Sequence, residues 1–145
     1  MKRIKTYSKW VRDIAFMPDG KGLVRARGDE TLIFMNLHSL TTTRLRAVND
    51  LHDYGPDTEE QTPPGPERPI ENERYVISVA VTPDGRWVIS GTESNIRIWN
   101  TRNATTQCIL KTADDVSVET IVTSPASCHF AVGNDNGAVT IWRYS

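Results

Sequence analysis

Long hydrophobic runs are absent from this 145-residue sequence. No apolar stretch approaches the roughly 18 residues that a membrane-spanning helix requires, and the first residues, MKRIKTYSKW, lack the apolar core of a secretory signal. We therefore expect no membrane association and a nuclear or cytoplasmic location. The content of 38% hydrophobic and 24% charged residues predicts a folded globular chain rather than a disordered one.

Cysteine and histidine are scarce, with two and three residues. Cys108 and Cys128 have neither the number nor the spacing of a disulfide framework or a zinc site, so we expect two buried, reduced thiols. The sequence contains no H-x-x-x-H or C-x-x-C spacing, no G-x-S-x-G elbow and no phosphate-binding loop motif. We therefore expect no metal, no cofactor and no enzymatic activity.

The formal net charge of −1 hides an uneven distribution. Residues 47–73 contain eight acidic residues and five prolines against a single base, Arg68, and show almost no hydrophobic periodicity. A segment of this composition has too little apolar surface to offset the entropy lost on ordering. We expect a mobile acidic insertion there, while most of the excess positive charge lies in residues 1–46.

Three segments share one pattern of alternating apolar and polar residues. Each contains an apolar strand, a proline turn, a second strand, a polar turn, and a third strand that ends in Trp or its substitute. The turn prolines are Pro18, Pro83 and Pro125. The last two are 42 residues apart, which fits the period of roughly 40–45 residues of a four-stranded propeller blade. Because RLRAV and TTQCILKT supply fourth strands, we predict an all-β partial propeller of about three four-stranded antiparallel blades.

The repeats divide the chain into one partial propeller over residues 1–145. Residues 1–46 form blade one together with RIKTYS, which is typical of the fourth strand of a preceding blade. The insertion follows, and blades two and three then occupy residues 74–112 and 113–145. Since each blade buries its faces only against neighbours, three blades leave two open flanks. We therefore expect self-association or pairing with missing blades.

The stretches VAVTPDGRWVISG, IRIWN and AVTIWRYS resemble the WD-repeat β-propeller family. Within it, YVISVAVTPDGRWVISG, the ending IWRYS and an insertion between two blades are similar to the C-terminal three blades of fungal Tup-type, Groucho-like transcriptional co-repressors. The resemblance implies a non-catalytic scaffold for protein binding in transcriptional repression. Its partners would be proteins or peptides such as transcription regulators or histone tails.

The hydrogen-bonded set that ties an intact WD repeat together is incomplete here. That set combines a His, a Ser or Thr, an Asp and a Trp. Blade one has Arg25 and Met35 at the Ser and Trp positions, blade two keeps Ser90 and Trp99, and blade three keeps Trp142. Each missing hydrogen bond removes a net ~0.5–1.5 kcal/mol. We expect the individual blades to be weak.

The resemblance also implies where partners dock. In the family, they bind the face formed by the loops that lead into each first strand and by the turns between second and third strands. Aromatic and cationic side chains there have the composition of interface hot spots. The corresponding candidates are Trp10, Arg12, Tyr75, Ile77, Asp115 and Glu119. The alternative is that Ile77 belongs to the core and that the two aromatic residues pack under loops.

Two other functions stay open. The positive charge of blade one, with Arg25, Arg27, Arg44 and Arg46, predicts an alternative role in binding nucleic acid or an acidic surface, for which the acidic insertion would compete. The incomplete hydrogen-bonded sets are also compatible with a degenerate remnant that has no partner of its own.

Overall fold

The computed structural model describes residues 11–27, 32–45, 76–112 and 116–145. All regular secondary structure in these ranges is β-strand, arranged in three antiparallel sheets whose strands are hydrogen bonded in chain order. The prediction of an all-β fold is confirmed. No helix in the described ranges is long and apolar enough to cross a membrane.

The three sheets correspond to the three sequence repeats, and we call them blades one, two and three. Blade one contains β1 (Val11–Phe16), β2 (Gly22–Arg27), β3 (Leu32–Asn36) and β4 (Thr42–Leu45). Blade two contains β5 (Val76–Val81), β6 (Trp87–Thr92), β7 (Asn95–Asn100) and β8 (Thr105–Lys111). Blade three contains β9 (Val118–Thr123), β10 (His129–Asn134) and β11 (Val139–Arg143). In blade three the described residues form three strands, and two residues follow β11. The acidic insertion and RIKTYS lie outside the described residues.

The Pro-Asp-Gly sequences form the same tight turn in blades one and two. Gly20 and Gly85 have φ angles of 68° and 69°, a left-handed conformation that glycine adopts without a steric penalty. Their N–H groups donate to the carbonyls of Met17 and Thr82 at 2.9 and 2.8 Å. A short polar turn with one glycine therefore joins the first two strands of each of these blades.

The core lies between the blades rather than within them. The innermost strand β5 packs between β1 and β9. Val79 and Val81 of β5 belong to the apolar cluster shared with blade one, whereas Ala80 belongs to the cluster shared with blade three. Burial on both faces explains why β5 reads as an almost continuous apolar run.

The prediction that both cysteines are buried is wrong. Cys108 and Cys128 are free and exposed. Cys108 lies on β8, the outermost strand of blade two, and Cys128 lies just before β10. Neither cysteine belongs to the two buried apolar clusters.

Candidate partner-binding face

The innermost strands of all three blades carry the same irregularity near their starts. In β1 the pairing with β2 skips Arg12, and in β5 the pairing with β6 skips Ile77. In β9 the pairing with β10 skips Glu119. Each of these residues is the extra residue of a β-bulge, which bends a strand and redirects a side chain. Three predicted candidates therefore occupy equivalent positions in their blades.

These three bulges form a row, because β5 packs between β1 and β9. Arg12 and Glu119 are exposed and Ile77 is half-buried. The row, which we call the bulge row, therefore presents a cation, an apolar side chain and a carboxylate in succession. Trp10, Tyr75 and Asp115 lie outside the described residues, so their part in this face stays a prediction.

A chain of hydrogen bonds runs directly beside the bulge row and links the three blades. The Ser78 hydroxyl and the Val79 N–H both donate to Asp13 Oδ2 at 2.9 Å. The Ser78 oxygen in turn accepts from the Ile121 N–H at 3.0 Å. Direct hydrogen bonds between the inner strands thus fix the spacing of the bulges.

Sequence reasoning missed these inter-blade bonds, although a signal was present. A polar residue occupies the third position of every inner strand, as Asp13, Ser78 and Thr120. A buried polar side chain in an apolar strand needs a hydrogen-bond partner. For Asp13 and Ser78 the partner comes from the neighbouring blade. The distance between the blades along the chain hides it from any local pattern.

Polar turns complete this face beside the starts of β5 and β9. The turn between β6 and β7 is held by the Thr92 hydroxyl, which accepts from the N–H groups of Ser94 and Asn95 at 3.3 and 3.1 Å. In blade three, Asp135 accepts from the Ser117 N–H at 3.0 Å and so ties the β10–β11 turn to the start of β9. The turn geometry is therefore coupled to the strands that carry the bulge row.

The residues at the Ser and Trp positions of the incomplete hydrogen-bonded set make different contacts in each blade. In blade two, Trp99 Nε1–H donates to Ser90 Oγ at 2.9 Å inside the core. In blade three, Trp142 stacks on Phe130 with a centroid distance of 6.4 Å and an interplanar angle of 11°. Its Nε1–H donates to the Thr140 hydroxyl at 3.2 Å. In blade one, the substitutes Arg25 and Met35 are both buried.

The described part of the chain contains no group of three or more His, Cys, Asp or Glu side chains arranged to hold a metal ion. What the bulge row offers chemically is recognition: an Arg donor, a carboxylate acceptor and an apolar side chain between them.

Two known sequence groups are similar to parts of this chain. The WD40 family, described as WD domain, G-beta repeat, matches residues 68–100. The transcriptional repressor rco-1 of Neurospora crassa is 35% identical over 77 residues. That match covers 49% of this chain and 13% of the repressor, so the chain spans only a small part of its relative.

Solved structures show the same fold. The structure of U3-55K superimposes with a TM-score of 0.72, and the crystal structure of RRP9 WD40 repeats with a TM-score of 0.69. Both are 16% identical in sequence, and each match covers 96% of this chain and 37% of the other. At this identity the likeness shows the fold alone.

Proposed function

The chain contains a WD40 repeat and has the fold of WD40-repeat structures, and from this we propose that it is a non-catalytic protein-interaction module of transcriptional repression. WD40 propellers are generally scaffolds without catalysis, which agrees with this role. The similarity to a transcriptional repressor supports a nuclear place of action.

The observation that carries the proposal is the bulge row. Arg12, Ile77 and Glu119 stand at equivalent bulges of three adjacent inner strands. An apolar side chain flanked by charges of opposite sign gives a contact its affinity at the centre and its orientation at the edges. Bulges beside functional sites are a common device for aiming such side chains.

The row also defines the chemistry of the partner. A peptide segment that places an acidic residue at Arg12, an apolar residue at Ile77 and a basic residue at Glu119 would complement it. Transcription regulators and the basic tails of histones are the classes that we propose. Trp10 and Tyr75 would add aromatic contact area next to Arg12.

A tethered-repression assay tests this function whichever partner protein the chain recruits. The chain is fused to a sequence-specific DNA-binding domain, and expression of a reporter is measured. Because truncation of interface anchors typically costs more than 1 kcal/mol, Ile77→Asp and Arg12→Ala should each weaken repression about tenfold. Ile109→Asp is the matched control, since Ile109 is an exposed isoleucine on β8, away from the bulge row.

Thermal unfolding of the same variants separates binding from folding. Melting temperatures close to wild type are expected for Arg12→Ala and for the control, because both side chains are exposed. Unchanged repression in both bulge-row variants, or loss of repression in proportion to lost stability, would contradict the proposal. A wild-type fusion that does not repress at all would favour the degenerate remnant.

One of the arginines on which the alternative of nucleic-acid binding depends is buried. Arg25 is only 3% exposed on β2, so it contributes nothing to a surface patch. The side chains of Arg27 and Arg44 and all of Arg46 lie outside the described part of the chain. Nucleic-acid binding therefore serves as a competing outcome, detected by DNA retention on the purified chain at low salt.

A further inference from the structure

One face of each blade is made to receive the next blade along the chain. In blade two, this receiving face contains Ala80, Ile89 and Ile96, which are all buried in the cluster shared with blade three. In blade one, the residues in the same register, among them Val24, Ala26 and Leu32, are fully buried in the cluster shared with blade two. Two successive blade contacts therefore use the same positions.

The same face lies open in blade three. Cross-strand pairing places Val122, Ala131 and Ile141 in one row and Gly133 beside Val139 in the next. These rows correspond to the buried residues of the receiving face in blade two. Here, however, Val139 and Ile141 are 70% and 73% exposed, and Val122 is exposed as well. The receiving face is therefore buried in blades one and two and exposed to solvent in blade three.

A glycine slot shows what this open face is shaped to receive. A Cβ atom on Gly91 would overlap the side chain of Val118, the first residue of the next inner strand. Gly91 thus allows the two blades to approach closely. In blade three the equivalent position is Gly133, paired with Thr120 as Gly91 is paired with Ser78. At Gly133 the atom nearest to a Cβ position is Thr120 Cγ2 of the same blade, at 2.8 Å, and no atom of another described blade lies within 4 Å. A valine at the start of another inner strand would therefore enter from the open side, next to this methyl group.

Blade one presents such a strand on its opposite flank. Val11 opens β1 as Val118 opens β9, and Val11 is exposed. Ile14 and Phe16 on the same strand are exposed too, with Phe16 64% accessible. Their equivalents in blade two, Val79 and Val81, are buried against the preceding blade. Among the described residues, the inserting side of blade one is therefore apolar and has no neighbouring element.

The hydrogen bonds between neighbouring inner strands also repeat from one blade contact to the next. The hydroxyl of Ser78 accepts from the N–H of Ile121 in the next blade, and the carboxylate of Asp13 accepts from the N–H of Val79. Ile14, Val79 and Ile121 occupy the same position in their inner strands. If the series continued, the hydroxyl of Thr120 would accept a hydrogen bond from the N–H of Ile14. Within one chain this N–H donates to Asp13 Oδ1 at 2.9 Å, so docking would exchange one acceptor for another.

We propose that the open face of blade three receives blade one of a second copy of this chain. The contact is head-to-tail: Val11 enters the Gly133 slot while Ile14 and Phe16 cover Val122, Val139 and Ile141. Such a heterologous contact uses two different surfaces and builds a ring or a linear chain of copies. The partner is thus a second copy bound through the flanks, a surface separate from the bulge row.

Two single-flank variants test this contact. Ile141→Asp blocks the receiving face, and Ile14→Asp blocks the inserting side. Light scattering across a concentration series should show oligomers for wild type and for the control Ile109→Asp. Each blocked variant should be monomeric in the same range, with association at least about tenfold weaker, because a carboxylate would have to be desolvated in an apolar contact.

Mixing the two blocked variants distinguishes this geometry from general hydrophobic association. Each retains one competent flank, so the mixture should form a 1:1 dimer and nothing larger. Circular dichroism confirms that both variants keep their β-structure, and Val139→Asp replaces Ile141→Asp if the latter unfolds. A monomeric wild type, oligomers that persist in the blocked variants, or a mixture that stays monomeric would each overturn the proposal. The repression assay is independent of this result, since its variants lie on the bulge row.

Discussion

The turn between β5 and β6 shows how a single carboxylate supports the local structure. Asp84 accepts from the Thr82 hydroxyl at 2.6 Å and from the Arg86 N–H at 3.0 Å. The hydrogen bond from Thr82 is the main reason why the pKa of the Asp84 carboxyl is lowered, followed on the lowering side by the Arg86 N–H, against a smaller opposing effect of burial. The ionised form is the one that holds the turn.

Acid should therefore weaken this turn. Because the pKa of Asp84 is lower in the folded chain than its ordinary value of 3.8, its contribution to stability is present above that value and is lost as the pH falls through the folded pKa. Asp84→Asn should flatten this part of the acid profile of the melting temperature. Asp19→Asn in the equivalent turn of blade one is the comparison. A profile that Asp84→Asn leaves unchanged would contradict the role of this carboxylate.

At the scale of the strand and the blade, blade two is the best-formed repeat. It has four strands and keeps the buried bond between Trp99 and Ser90. Blade three replaces that bond by the stacking of Trp142 on Phe130. The sequence predicted which blade keeps which partner, because the positions follow from the repeat. It did not predict the stack, which depends on two aromatic rings meeting across neighbouring strands.

Ser90→Ala should destabilise the chain more than Thr140→Ala, which removes the acceptor of the Trp142 Nε1–H in blade three. It would leave the Trp99 Nε1–H buried without its acceptor, at a cost of about 1–3 kcal/mol. Thr140→Ala removes the acceptor of the half-buried Trp142, where water is available as a substitute, so a loss below about 0.5 kcal/mol is expected. Urea unfolding of both variants measures the difference. Equal losses in the free energy of unfolding would show that the hydrogen bond of Trp99 stabilises the chain no more than that of Trp142.

At the scale of the whole molecule, Ser78 connects all three blades. Its hydroxyl donates to Asp13 of blade one and accepts from the Ile121 N–H of blade three. The receiving and inserting faces then repeat from blade to blade, so that each contact copies the one before it. This repetition makes the molecule a quasi-one-dimensional stack whose stability is a sum over neighbours.

Ser78→Ala should loosen one inter-blade contact selectively. The Ile121 N–H would lose its acceptor, whereas the Val79 N–H would keep Asp13 as its acceptor. Amide hydrogen exchange should therefore become at least about tenfold faster at Ile121, corresponding to roughly 1.4 kcal/mol, with a smaller change at Val79. Equal acceleration at both amides would indicate general destabilisation instead.

The sequence by itself determined the all-β fold, the turns and the positions of the candidate residues within the repeat. Alternation of apolar residues and turn glycines are local properties, so they are readable without a structure. The tertiary structure alone decided that Arg25 is buried, that the cysteines are exposed, and that Arg12, Ile77 and Glu119 share one row of bulges. It also decided which apolar faces have no neighbour among the described residues. The reason is physical: alternation tells on which side of a sheet a residue lies, whereas burial depends on whether a second blade packs against that side.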